Sequence, residues 1–379
     1  MNTVFIIGIF LSLFLSILAL GKKQKSLPDI ILAIWLFIIA LHLTNYYLYS
    51  LDYWSRYPHL IGVMLPLPLF HGPMLYLYTL HSLRPDRSLR KKDYLHFLPA
   101  VATWIYMIPF YFFYTPEEKI LVDTGQMDDS GIFQIIMILA FIISGLTYPI
   151  LAFRKLETYK QVVEDNFSND SRISLDWLKY WIYGVGLLYL TVAAISMLEG
   201  GLGVVFPFNT DFIVYILLVF YVVCIGYFGI RHQDIFTISD TNQPVSLVQS
   251  NSQGEYRKSG LKQEIAVSVH ENLQEFMLTE KPHLNPKLTL SELANSMDVT
   301  PNHLSQIINQ YEKMNFHDFI NGYRVDEFIE RASSNQAYSI LSHAYDAGFN
   351  SKSTFNNVFK KLKGVTPSRF MSDLLEKSQ

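Results

Sequence analysis

Before residue 232 the sequence carries seven apolar stretches, each close to the length that crosses a lipid bilayer. They are expected at Val4–Leu20, Ile30–Tyr49, Leu60–Leu80, Leu95–Tyr114, Ile132–Phe153, Leu178–Leu198 and Phe212–Ile230. With 50% hydrophobic and only 17% charged residues, the chain is too apolar for an ordinary soluble protein, and the excess lies in this front part. Pro66, Pro68 and Pro73 interrupt the third stretch, which is therefore expected to be a kinked span. Ala19, Leu20 and Gly21 loosely resemble a signal-cleavage site. Yet Lys22, Lys23 and Lys25 follow the apolar run instead of preceding it, which favours an uncleaved first span with its N-terminus outside.

The loops give the orientation. On the side reached after the first span lie Lys22, Lys23 and Lys25, then Arg84, Arg87, Arg90, Lys91 and Lys92. Arg154, Lys155, Lys160, Arg172 and Lys179 follow on the same side, and Arg231 closes the last span. The opposite loops hold only Arg56 and Lys119, beside the acidic Glu117, Glu118, Asp123, Asp128 and Asp129. Cytoplasmic loops retain Lys and Arg, so an odd number of spans delivers the C-terminus to the cytoplasm. The single cysteine, Cys224, excludes an intrachain disulfide, and no Cys/His cluster has zinc-ligand spacing. No catalytic signature and no glycine-rich phosphate loop appears, so neither an enzyme nor a cofactor or metal site is expected.

Residues 236–260 are rich in Ser, Asn, Gln and Gly and read as a tether. After it, Leu261–Thr279 is expected to form an amphipathic helix with Ile265, Val269, Leu273 and Phe276 inward. In Leu288–Asn309, Leu290, Leu293, Ala294 and Met297 make a buried face and Val299 fills a turn. Thr300 caps a second helix with Pro301 at its first position. Leu304, Ile307 and Ile308 pack inward, leaving Asn302, His303, Ser305, Gln306 and Asn309 outward. A connecting helix is expected over 316–331, with Phe319, Ile320, Tyr323 and Phe328 apolar. In the last third, Leu341, Ala344 and Tyr345 form one face, Gly348 breaks the pattern and Phe349 plugs a turn. Ser351 or Ser353 then caps a helix whose Phe355, Val358, Phe359 and Leu362 point inward. Lys352, Ser353, Asn356, Asn357, Lys360 and Lys361 are left outside. No acidic residue occurs from Ala347 to Ser372, so the basic residues there form a single-sign surface suited to phosphate.

Ala344, Gly348, Phe349, Ser351, Ser353, Phe355, Phe359, Lys360, Lys361, Gly364, Thr366 and Pro367 stand at spacings that closely resemble the second helix-turn-helix of AraC-family bacterial transcription regulators. The front resembles membrane-anchored members of that group through the stretch from His71 to Tyr78, through His96–Pro99 and through Tyr227–Arg231. The resemblance implies an all-α chain. A seven-helix membrane bundle (1–232) would be followed by a cytoplasmic linker (233–260) and a DNA-binding domain (261–379) with two helix-turn-helix units, about 288–309 and 339–363. It implies a regulator in the bacterial cytoplasmic membrane, possessing no cofactor. Its partners would be promoter DNA, the bilayer, a second copy of the chain, RNA polymerase and a small-molecule or membrane-protein signal. By motif position, Asn302, Ser305, Gln306, Ser353, Asn356 and Asn357 match base-contacting positions, with Thr300, His303, Asn309, Ser351, Lys352, Lys360 and Lys361 around them. Asn357 departs from the family's usual Arg. Asn prefers adenine where Arg reads guanine, so an A·T-containing half-site is expected. The loop Tyr311–Met314 also lacks the family's usual Gly.

Polar residues inside apolar spans are functional candidates, because lipid burial is costly. His42, Asn45, His71, Tyr76 and Tyr78 are the signal-sensing candidates, with Tyr46 and Glu199 beside them. The plainer reading is that they hydrogen-bond between helices or anchor at the interface. From residue 261 on, acidic residues slightly outnumber basic ones. The alternative is therefore a receptor or transporter-like membrane protein whose C-terminal domain binds a protein partner.

Overall fold

A computed structural model describes residues 2–84, 88–127, 131–169, 175, 177–231, 263–335 and 337–376. The linker 233–260 lies outside the described residues. The described residues are helical, with no strand beyond an isolated antiparallel bridge between Phe167 and Thr289. The chain divides into two units. One comprises Met1–Glu157 and Leu175–Val245, the other Thr158–Ser174 and Ser246–Gln379.

Helices of the first unit include α1 (Asn2–Gly21), α2 (Leu27–Ser50), α3 (Pro68–Ser82), α4 (Leu98–Tyr106), α5 (Ile108–Phe113), α6 (Gly131–Asn166), α7 (Leu178–Ser196) and α8 (Asp211–Arg231). Helix α6 runs on from this unit into the second one at Thr158. Six described helical runs are long and apolar enough to cross a membrane: Thr3–Gly21, Leu27–Ser50, Lys91–Phe113, Gly131–Asn166, Leu178–Gly201 and Asp211–Phe228. The third expected stretch differs: turns occupy its first part, and α3 has only 15 residues. Pro66 and Pro68 account for the late start, since each lacks the N–H that a preceding helical turn would use.

Local chemistry sets the helix starts. Ser26 caps α2 in a capping box with Asp29, and Asp29 also takes the buried Lys22 ammonium at 2.6 Å. That basic residue of the first loop is thus held by the helix it precedes. The outer faces of the helices remain apolar, as with Phe10 and Ile17 on α1, Phe112 and Phe113 on α5 and Ile132 on α6. A helix apolar on every side is suited to hydrocarbon surroundings.

The second unit contains α9 (Gln263–Thr279), α10 (Leu290–Ser296), α11 (Pro301–Ile307), α12 (Phe316–Ser334), α13 (Ile340–Asp346), α14 (Lys352–Lys363) and α15 (Pro367–Glu376). Helix α12 supplies both cores. Phe316, Phe319 and Ile320 join Leu273, Met277, Leu290, Leu293 and Leu304, while Val325, Phe328 and Ala332 join Ala344, Phe349, Phe355 and Phe359. The face of α9 is rotated from the expected one. Ala266, Leu273 and Met277 are buried and Ile265 is exposed. His270 fills the remaining position of that stripe, because Glu312 accepts it at 2.6 Å and Tyr311 stacks on its ring.

Helix α11 ends in a wide turn, Ile308–Glu312, closed by Lys313 in the left-handed region at φ 60°. This is the loop that lacks a glycine, and a lysine carries the conformation there instead. Relief of side-chain strain outweighs the added backbone freedom of the unfolded chain. Lys313→Gly is therefore expected to stabilise the unit by about 0.5 kcal/mol. Slower amide exchange in α11 of the variant would show it.

Candidate nucleic-acid interface

The two helix–turn–helix units are built alike. In the first, Val299 N–H donates to the Ala294 carbonyl at 3.0 Å, with Asp298 left-handed at φ 55°. In the second, Phe349 N–H donates to the Ala344 carbonyl at 3.1 Å, with Gly348 at φ 96°. Both turns are Schellman-type endings in which the residue after the left-handed position turns an apolar side chain inward. Each following helix is then capped. Thr300 accepts from His303 N–H with Pro301 first in α11, and Ser351 accepts from Thr354 N–H at the start of α14. Of the two serines considered, Ser351 is the cap, and Ser353 lies 2.9 Å from its hydroxyl.

The inward sets largely agree with the helical periodicity, with three differences in the second unit. Phe355, Val358 and Phe359 are buried, whereas Leu362 is exposed. Ala344 is buried, but Leu341 is only half-buried and Tyr345 is exposed; His343 and Ala347 take the interior instead. His343 can be buried because its ring donates to the Asn335 carbonyl at 2.7 Å, and that turns α13 so that Tyr345 faces solvent.

The proposed contact residues divide by exposure. Asn302, Lys352, Ser353, Asn357 and Lys360 are exposed, and His303, Ser305, Gln306, Ser351 and Asn356 are half-buried. Asn309, in the wide turn, is exposed but hydrogen-bonds the Ser305 carbonyl and hydroxyl of α11. The basic surface is less single-signed than its own sequence suggests. Lys361 sits 2.7 and 2.9 Å from the two carboxylate oxygens of Asp318, and Lys363 lies 3.0 Å from Asp326, both on α12. A hydrogen bond from His317, with Lys361 beside it, lowers the Asp318 carboxyl to about 2. Lys352, Lys360 and Arg369 form no ion pair among the described residues.

Between the two cores sits Arg324 of α12, 1% exposed, which sequence periodicity did not single out. Its five N–H donors meet five acceptors. Nε donates to the His283 carbonyl at 2.8 Å and one terminal nitrogen to the Asn285 carbonyl at 2.8 Å. The others reach Asn321 Oδ1 and the carbonyl and hydroxyl of Ser168 at 3.0–3.1 Å. Ser168 is fully buried and donates its hydroxyl to the Leu288 carbonyl at 2.7 Å. Asn315 on the same side donates to Glu164. The loop after the fifth apolar stretch is therefore part of this unit, wedged where the two helix-turn-helix units meet. Burial lowers the Arg324 guanidinium to about 10, so it stays charged at neutral pH.

In the first unit, His42 and His71 are brought together, Nδ1 to Nε2, at 3.2 Å. Asn45 and His42 line one cavity, whereas Tyr76 packs edge-on against His96 and Tyr78 stacks on Trp181. Glu199 accepts from the Thr210 hydroxyl at 2.8 Å. Among the described residues no group of three His, Cys, Asp or Glu could hold a metal ion.

Compared with known families, residues 293–373 match the helix-turn-helix domain model. No curated protein and no solved structure matches the chain. The matched segment begins inside α10 and ends in α15, so it takes in both turns, both capped helices and the strut between them. The C-terminal part of this chain is an AraC-type helix-turn-helix domain.

Proposed function

We propose that the chain is a membrane-bound, one-component transcription regulator. Its apolar helices anchor it in the cytoplasmic membrane, and its C-terminal unit reads promoter DNA as a homodimer under control of a signal met in or at the bilayer. The observation that carries this reading is the duplicated build of α10–α11 and α13–α14 on one strut. Helix α12 has 19 residues and spans about 28 Å. Two capped helices held by such a strut are suited to successive major grooves, about 34 Å apart on one face of the duplex. Asn302 and Gln306 would read bases from α11, and Ser353, Asn356 and Asn357 from α14. Lys352 and Lys360 would bind phosphate. The Lys361 ammonium would have to leave Asp318 to do the same. That internal pairing favours the second reading, a C-terminal domain that binds a protein partner.

The experiment uses the full chain in nanodiscs and duplexes selected from its genome. Asn302→Ala with Gln306→Ala is expected to flatten the preference among duplexes, each lost base contact costing about 1–3 kcal/mol. Lys360→Ala is expected to weaken all duplexes alike and to reduce the slope of log K against log salt by about 1. Unchanged site preference in the first variant would remove α11 from the groove. Unchanged affinity and slope in the second would favour the protein-partner reading.

A further inference from the structure

The first unit holds a cavity of about 800 Å³. Its size is that of a small-molecule site, and its wall is mostly apolar, including Met64, Phe110 and Phe141. One hydrogen-bond series that reaches that wall has a fixed donor sense. Trp35 Nε1–H can only donate, and it donates to His71 Nδ1 at 3.2 Å. His71 is therefore neutral with its proton on Nε2, which donates to His42 Nδ1 at 3.2 Å. That leaves the His42 proton on Nε2, where it donates to the Tyr215 oxygen at 3.0 Å. Each step dictates the next, and the Tyr215 O–H at the end of the series is left to donate onward. His42 and Tyr215 both line the cavity. So does Asn45, whose amide has no hydrogen-bond partner among the described residues. Among the described residues no Lys or Arg lines the cavity, and Asp123 is the one carboxylate on its wall. Nothing there would neutralise an anion, and an ammonium that paired with Asp123 would leave the Tyr215 hydroxyl and the Asn45 amide donors unmet.

We propose that this cavity binds an uncharged lipophilic molecule through a carbonyl-type oxygen that accepts from Tyr215 and Asn45. The proposal rests on the reading of this unit as the sensor, and it deepens that reading by naming the chemistry of the signal. A buried polar site left unpaired by the wrong ligand discriminates strongly against it. A carbonyl is thus preferred over a hydrocarbon of the same length, and carboxylate and ammonium are both disfavoured.

The test measures binding of four probes of matched chain length to the full chain in nanodiscs, with empty nanodiscs subtracted. The probes are methyl nonyl ketone, undecane, undecanoate and undecylamine. Two new hydrogen bonds are expected to make the ketone bind about tenfold tighter than undecane. Tyr215→Phe with Asn45→Ala should bring the two within about twofold while leaving undecane unchanged. Tyr215→Phe alone deletes one hydroxyl, and it serves if the double variant does not fold. Equal binding of ketone and alkane would overturn the proposal. So would tighter binding of either charged probe, no saturable ketone binding, or a ketone preference that survives both substitutions. DNA takes no part in the readout, so failure here and failure of the regulator reading are told apart.

Discussion

Gly348→Ala is expected to cost the C-terminal unit about 3 kcal/mol, a loss of roughly a hundredfold in amide protection across α13 and α14. Two effects act together. The backbone sits at φ 96°, where an L side chain is strained by about 1–3 kcal/mol. The added Cβ would also collide with the His283 carbonyl and press on Leu284 Cα and Arg324 Nε. Backbone cannot swing aside as a flexible side chain can, so the loop at His283 would have to retreat, and it carries an Arg324 acceptor. Hydrogen exchange on the full chain measures the effect. Protection equal to that of the parent would mean the loop yields freely, and the tight approach described here would have no energetic weight.

The second large effect is expected from Arg324→Met. Burying a charge is costly, so the exchange of a guanidinium for an apolar side chain is not destabilising by rule. Here the balance is decided by what is left behind. Arg324 has no carboxylate partner within hydrogen-bond reach, and its charge is met by carbonyl and hydroxyl oxygens from three places in the chain. Methionine fills the space but donates nothing, and it strands the His283 carbonyl in the interior and leaves the Ser168 hydroxyl only its bond to the Leu288 carbonyl. Unpaired buried acceptors cost about 1–3 kcal/mol each, so a loss of about 3 kcal/mol is expected. Arg324→Lys should not rescue it, because an ammonium has three donors on a single atom and cannot span the set. Faster exchange at 283–288, at α10 and at the C-terminal end of α6 would mark the loss. No change there would show that the wedge at Ser168 is not held by Arg324.

These two residues also show what a sequence can and cannot disclose. Caps and turns were legible because their chemistry is local: Thr300 with Pro301, Ser351, and the glycine at Gly348 all act within a few residues. The inward faces of α12 and α14 were legible from period, apart from Leu362. The face of α9 was not, because His270 counts as polar until Glu312 is placed beside it. Nor could the basic run of α14 disclose its acids, since Asp318 lies 43 residues from Lys361 and Asp326 lies 37 from Lys363. Ser168 and Arg324 are 156 residues apart, and no local pattern relates a loop between apolar stretches to a strut helix. In the first unit, His42, Asn45 and His71 could be singled out by the cost of burying them. The order of His71 and His42 in a directional series ending at Tyr215, and the cavity that Tyr215 lines, required the packing of α2, α3 and α8.

The central claim is that the C-terminal unit reads DNA in sequence-specific fashion. A fragment beginning at residue 261 lacks Ser168 and with it two of the five acceptors of Arg324, so the full chain in nanodiscs is the right material. The measurement is fluorescence anisotropy against the chain's own upstream DNA and a scrambled duplex of the same composition, across a salt series. The account predicts at least a hundredfold preference, roughly, for the cognate duplex, with affinity falling steeply as salt rises. Equal, salt-insensitive binding to both duplexes, or to neither those nor any genomic fragment, would contradict it.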